Sequence, residues 1–251
     1  MSRTPRNQSP TGIYHVIVRG VNRQKIFNDI EDRQKLIEKL AKFREVSGYR
    51  IFAYCLMDNH FHLLIQEQKE PLGTAIKRIS SSYVLYFNKK YERVGHLFQG
   101  RFRSEVVDND QYFFTVLRYI HQNPLKAKIE KSIANYKWSS YNEYIKEGCL
   151  VDTDYVLKLF AANPESALTQ FVEFHGQSNN ENCLDIEEPK LNDHMVKEII
   201  RGQIGIDVNA IGKEAKIKQT SILRELKAIK GIDVRQISRL TGIPYSKVWR
   251  A

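Results

Sequence analysis

Cysteine is scarce in this chain of 251 residues: Cys55, Cys149 and Cys183 lie far apart. That spacing excludes a disulfide framework and a CxxC zinc site, and it fits a reducing cytoplasm. Long apolar runs are also missing. No stretch of about 18 apolar residues occurs, so no transmembrane helix is expected. The start, Met1-Ser2-Arg3-Thr4-Pro5-Arg6, has no apolar stretch behind it that would make a secretory signal. Acidic charge is in deficit, with 39 Lys/Arg against 29 Asp/Glu and a net charge of +10. The deficit is uneven: residues 1–150 carry +10, residues 151–190 carry −6 and residues 191–251 carry +6. Two basic blocks around an acidic segment suggest two units joined by a connector. Basic blocks attract phosphates by counterion release, although charge alone does not separate a nucleic-acid binder from an ordinary basic protein.

Periodicity then orders the first unit. Ile13 to Val18 reads as a β-branched strand. Leu36, Ile37, Leu40 and Phe43 set a helical spacing over 29–46, which Gly48 ends. Tyr49 to Leu56 and His60 to Ile65 read as two strands of a hairpin around the turn residues Met57-Asp58-Asn59. Pro71 opens a helix to about Tyr91, and Phe102 to Val107 is a fourth strand. Asp108-Asn109-Asp110 offers caps for a helix that Pro124 is expected to stop at about Gln122. The order β-α-β-β-α-β plus a helix predicts an α+β, ferredoxin-like core with an antiparallel sheet. Residues 132–176 read as further helices anchored by Trp138, Tyr141, Tyr144, Phe160, Phe171 and Phe174, and 177–190 as an acidic linker.

The C-terminal part contains a near-repeat. Gly205-Ile206-Asp207-Val208 returns as Gly231-Ile232-Asp233-Val234, an offset of 26 residues. At that offset Ile211 meets Ile237, Ile217 meets Ile243, Ile222 meets Val248 and Arg224 meets Arg250. The second copy reads as a helix-turn-helix: Asp233 caps, Gly242 turns, and Tyr245 to Arg250 forms the second helix. The first copy is the weaker match, with Lys216 where the turn glycine would stand.

The chemistry gathers at two places. His60 and His62 alternate in an apolar strand, so both imidazoles face one side of the sheet and suit a divalent metal. Alone, such a pair is equally the mark of surface or core histidines with backbone partners. Tyr119 and Asn123 stand at i and i+4, on one face of a helix. Two imidazoles and a carboxamide oxygen leave open positions on Mg²⁺ or Mn²⁺ for phosphate oxygens. A tyrosine beside them could attack phosphorus covalently. No carboxylate ligand is obvious. With 13 tyrosines in the chain, Tyr83, Tyr86 and Tyr112 compete for the nucleophile's role.

The motifs together make a resemblance. Tyr54-Cys55-Leu56-Met57-Asp58-Asn59-His60-Phe61-His62-Leu63-Leu64, Gly100-Arg101-Phe102-Arg103, Arg118 through Ala127 and Trp138-Ser139-Ser140-Tyr141 resemble the single-tyrosine HUH transposases, IS200-like, and most of all their REP-associated branch. Tyr14-His15-Val16 and Arg19-Gly20 resemble that branch's first strand. The resemblance covers about residues 10–145 and implies His60 and His62 as metal ligands, Tyr119 as nucleophile and Asn123 in the place of the third ligand. It implies Mg²⁺ or Mn²⁺ as cofactor. The implied reaction is cutting and rejoining single-stranded DNA at hairpin-forming palindromes through a 5′-phosphotyrosine. A homodimer is one assembly it allows.

The expected division is 1–148 as transposase core, 149–190 as helical connector and acidic linker, and 191–251 as a helical DNA-binding domain. The last is similar to that of bacterial replication initiators. Expected DNA contacts are Arg19, Arg23, Lys77, Arg78, Lys89, Lys90, Arg101 and Arg103 in the core, with Tyr245, Lys247 and Arg250 in the last helix. The expected setting is a cytoplasmic, nucleoid-associated protein. The competing function is a retired transposase that holds hairpins as a regulator. A zinc-stabilised structural protein would need more cysteine or histidine at ligand spacing.

Overall fold

The β-branched and aromatic runs pair into one four-stranded antiparallel sheet in this computed structural model, which describes residues 7–146, 148–178, 183–185, 191, 193–229 and 231–251. Residues 1–6 and most of the segment read as an acidic linker lie outside them. The strands are β1 (Ile13–Arg19), β2 (Arg50–Met57), β3 (His60–Gln66) and β4 (Arg103–Val106), in the spatial order β2-β3-β1-β4. With α1 (Ile30–Ser47) between β1 and β2, and α2 (Leu72–Lys90) between β3 and β4, this is the ferredoxin-like βαββαβ arrangement. Asp29 and Asp32 close a capping box on α1, and Gly48 ends it in the left-handed region at φ 71°.

Register decides which side chains share a face. Ile17 lies opposite His62, Arg19 opposite His60 and Cys55 opposite His62, so these residues point the same way. Phe61 points to the other face, where it meets Phe98, which in turn meets Tyr83 of α2. The histidine face is covered by α3 (Asp110–Lys126), whose Phe113 packs on Phe52 of β2. Residues 138–140 close the outer edge of β2: Leu56 N–H donates to the Trp138 carbonyl at 2.8 Å and Ser140 N–H to the Tyr54 carbonyl at 3.0 Å.

Asn109 caps α3 through its side chain, at 2.8 Å from Tyr112 N–H. The expected stop before Pro124 is not found: α3 runs through the proline to Lys126. Pro124 falls in the last turn, where it removes one ladder bond, and the helix is buried from Val116 to Pro124. Ala127 N–H still reaches the Asn123 carbonyl and Ile129 N–H the Pro124 carbonyl, both at 2.9 Å.

Beyond it, α4 (Tyr141–Ile145), α5 (Thr153–Phe160) and α6 (Pro164–Gly176) follow. Phe171 of α6 stacks on Tyr144 of α4 at 4.4 Å between ring centroids, and these aromatics join the same core as the sheet. The first compact unit runs to Asp185.

The second unit, Ile186–Ala251, has its own apolar core. It contains α7 (Asp193–Ile199), a π turn (Ile200–Ile204), a 3-10 turn (Val208–Lys213), α8 (Lys216–Ala228), α9 (Val234–Thr241) and α10 (Tyr245–Arg250). Asp233 caps α9 by accepting from Gln236 N–H at 2.7 Å, and Gly242 turns the chain at φ 70°. The near-repeat holds for Ile211 with Ile237 and Ile222 with Val248, all buried. It fails at Ile217, which is 89% exposed where Ile243 is 4% exposed. The cause is local: Lys216 begins a helix, whereas Gly242 makes the left-handed turn that folds Ile243 inward.

Candidate active site

The site grows from the strand alternation of β1 and β3. His60 and His62 project from β3 toward α3, with ring centroids 4.9 Å apart. Tyr119, from the middle of α3, packs edge-on against His62 at 5.8 Å. A third histidine joins them. His15 on β1 lies diagonally across from His62, with its Nε2 at 3.0 Å from His62 Nδ1 and its ring 5.7 Å from Tyr119. The sequence reading placed His15 on the first strand without a role. Only the β1–β3 register, which spans 47 residues, brings it to the site.

Two ring nitrogens at the centre are unusual in having no fixed partner. His62 Nε2 and His15 Nδ1 are buried without a hydrogen bond, and the buried Tyr119 hydroxyl has the Asp185 carboxylate as its neighbour. The competing tyrosines have their own partners: Tyr83 donates to the Ile26 carbonyl at 2.5 Å, Tyr86 to Asp32 at 3.1 Å, and Tyr112 to Glu105. His60 Nδ1 meets Asn59 Oδ1 at 2.7 Å, which leaves its Nε2 for the site. Asn123, one turn beyond Tyr119, donates from its amide to the Tyr119 carbonyl at 3.0 Å, leaving Oδ1 for another partner. Lys126 holds its ammonium 4.4 Å from the Tyr119 ring centroid, a neighbour the sequence reading missed although it stands at i+7 on the same helix.

Electrostatics follow from burial. Burial pushes His15 down to about 3. His60 falls to about 4, mainly by burial, with the Asp185 carboxylate opposing. His62 lies well below its ordinary value, by burial and then by its two histidine neighbours. All three imidazoles are therefore neutral near pH 7. Tyr119 is held well above the ordinary phenol value, first by burial and then by Asp185. Asp185 is a carboxylate beside the site that the sequence reading did not name. It arrives from the segment read as linker, where Arg103 donates to its carbonyl at 3.0 Å and the preceding Leu184 N–H donates to Glu105 at 3.0 Å.

Two histidines and a carboxamide fit a hard divalent cation with open positions, and the buried, unpartnered His62 Nε2 is the atom that such an ion would satisfy. Among the described residues no three His, Cys, Asp or Glu side chains cluster as a metal cage, so a closed zinc site is not built here.

The expected DNA contacts fall into groups. Lys77 and Arg101 line a cavity of about 550 Å³ with His96, Phe98 and Phe102, between α2 and the loop before β4. Lys89 is exposed, and Arg19 and Arg23 are half-buried near the start of the site strand. Arg78 is paired with Glu70 at 2.6 Å. Lys90 lies among Asp29, Glu31 and Asp32 at 2.8 to 3.0 Å. Arg78 and Lys90 thus have carboxylate partners within the fold. Tyr245, Lys247 and Arg250 are exposed on α10 in the second unit.

Residues 9–123 match the family model for IS200-like transposases. Among solved structures, the chain is similar to a REP-associated tyrosine transposase bound to a REP hairpin, at 18% identity and a TM-score of 0.52, covering 61% of this chain and 94% of that one. A looser likeness, too loose to bear on the argument, is to a candidate transposase from Deinococcus radiodurans R1, at 16% identity and a TM-score of 0.35, covering 48% and 97%. No curated protein matches the chain. Residues 9–123, which carry the sheet, the histidine pair and the helix-borne tyrosine, are thus the part of the chain that matches the IS200-like transposase family.

Proposed function

We propose that this protein cuts and rejoins single-stranded DNA at hairpin-forming palindromic repeats, with Tyr119 as nucleophile and His60, His62 and Asn123 as holders of Mg²⁺ or Mn²⁺. The observation that carries the reading is the buried His62 Nε2, which has no hydrogen-bond partner, with the Tyr119 ring edge-on to the same imidazole at 5.8 Å. A fold keeps such an atom at a cost unless something else uses it. When bound, the ion would polarise the scissile phosphate and stabilise the charge that develops on it.

The chain's own residues do the rest. The Tyr119 oxygen attacks phosphorus as the bond from phosphorus to the 3′ oxygen breaks; the phenol proton goes to solvent and the departing 3′ oxygen takes one up, leaving a free 3′-OH and the 5′ phosphate esterified to the tyrosine. Reversal by a 3′-OH rejoins the strand, so no external energy source is needed. Lys126 is placed to neutralise the incoming phosphate. His60, His62 and Tyr119 meet within one chain. A relative of similar fold is bound to a REP hairpin, which supports a hairpin as substrate. Lys77 and Arg101 suit the unpaired flank, and α10 suits duplex DNA through Tyr245, Lys247 and Arg250.

The test is incubation with hairpin oligonucleotides in Mn²⁺, followed by denaturing electrophoresis. A covalent protein–DNA product is expected with the native chain, and none with Tyr119→Phe or with chelator. Hairpin binding without any adduct would favour a retired transposase that acts as a regulator.

A further inference from the structure

His15 has no part in the reading above, yet it makes the one hydrogen bond that His62 has through its ring. Both rings are fully buried, and the Nε2–Nδ1 distance is 3.0 Å. One proton must lie between these two nitrogens. If His15 Nε2–H donates, His62 Nδ1 accepts and the neutral His62 ring carries its proton on Nε2, where it blocks any cation. If His62 Nδ1–H donates, its Nε2 presents a lone pair to the site. His60 solves the same problem locally: its Nδ1–H donates to Asn59 Oδ1 at 2.7 Å and leaves Nε2 bare. The two histidines then present equivalent nitrogens, each fixed by a partner behind the ring.

We propose that His15 is the positioning residue of this site, accepting the His62 Nδ1 proton and so holding His62 in the tautomer whose Nε2 lone pair faces Tyr119. Ligating histidines are commonly fixed this way by a carboxylate, a carbonyl or water. A neutral imidazole does it here without adding charge behind the ligand. The inference rests on the proposed metal role of His62, and two measurements separate them.

The first needs no metal. Nitrogen-15 spectra of the histidine rings in the full chain, at neutral pH and in chelator, report which nitrogen carries the proton. His62 is expected as the Nδ1–H form, shifting toward Nε2–H in His15→Phe, which keeps a ring but removes the acceptor. His62 protonated at Nε2 in the native chain would overturn the inference and leave the metal reading standing.

The second is Mn²⁺ binding to the folded proteins, followed by the electron spin resonance signal of free Mn²⁺. His15→Phe should weaken binding about 10- to 100-fold. His15→Gln, whose carbonyl oxygen can accept the same proton, should recover most of it. Equal binding by the native chain and His15→Phe, or equal loss in both variants, would overturn the positioning role. Absence of Mn²⁺ binding by the native chain would overturn the metal reading and, with it, the inference.

Discussion

Two buried histidine clusters lie against the same helix, and they differ in what their polar atoms are left with. On one side, His15, His60 and His62 surround Tyr119, and His15 Nδ1 and His62 Nε2 are left without partners. On the other, His121 and His175 close a complete chain of hydrogen bonds. His175 Nδ1–H donates to the Phe171 carbonyl at 2.8 Å, so its Nε2 accepts from His121 Nδ1–H at 2.9 Å. His121 Nε2 then accepts from the Ser140 hydroxyl at 2.8 Å, and Ser140 accepts from Tyr54 N–H at 2.9 Å. Every ring nitrogen is used once, in one tautomer. This arrangement has the residue types of a serine–histidine catalytic pair, but Ser140 is fully buried and its bonds tie α3 and α6 to β2. Burial therefore does not mark a working histidine. Unused valence does.

The comparison can be broken from either side. The largest effect is expected from His62→Ala: adduct formation should fall about a thousandfold, as loss of several kcal/mol of charge stabilisation implies. Its melting temperature should fall less than that of His121→Ala, because the single ring hydrogen bond to His15 is lost and a partnerless buried nitrogen is removed with it. His121→Ala should act mainly on stability. It strands Ser140 and His175 and leaves a cavity, a loss of about 3 kcal/mol in denaturant unfolding, while Mn²⁺ binding of the folded fraction stays as in the native chain. A swap of these two outcomes would end the distinction.

Acid sharpens it next. Burial depresses His175 to about 4, against about 6.5 in the unfolded chain. The unfolded state binds the proton more readily, so stability falls as pH drops below about 6.5 and levels off below about 4. Between pH 7 and pH 5 this group alone should remove about 2 kcal/mol. Urea unfolding at both values checks it, and the drop should shrink in His175→Phe. The smallest effect concerns Asp185. Its charge opposes ionisation of Tyr119, so Asp185→Asn should speed adduct formation a few-fold near neutral pH. A slower variant would mean that the carboxylate assists the reaction.

What could be read in advance was what is local. The alternation at His60 and His62, the i and i+4 pairing of Tyr119 with Asn123, and the βαββαβ order all follow from periods of two and 3.6 residues. What escaped depends on contacts distant in sequence. His15 reaches His62 only through strand register. Asp185 reaches Tyr119 because residues 183–185 run beside β4, where Arg103 and Glu105 hold them. Arg78 and Lys90 looked available because their carboxylate partners, such as Asp29 at 61 residues' distance, lie on other elements. Pro124 looked like a stop because a proline's local penalty was weighed without the packing of the final turn around it.

The central claim is that Tyr119, and none of the competing tyrosines, is the nucleophile. The direct measurement is mass spectrometry of the covalent product after nuclease and protease digestion. The account predicts a single 5′-phosphonucleotide adduct on the peptide that contains Tyr119. An adduct on Tyr83, Tyr86 or Tyr112, whose hydroxyls are already engaged, would contradict it.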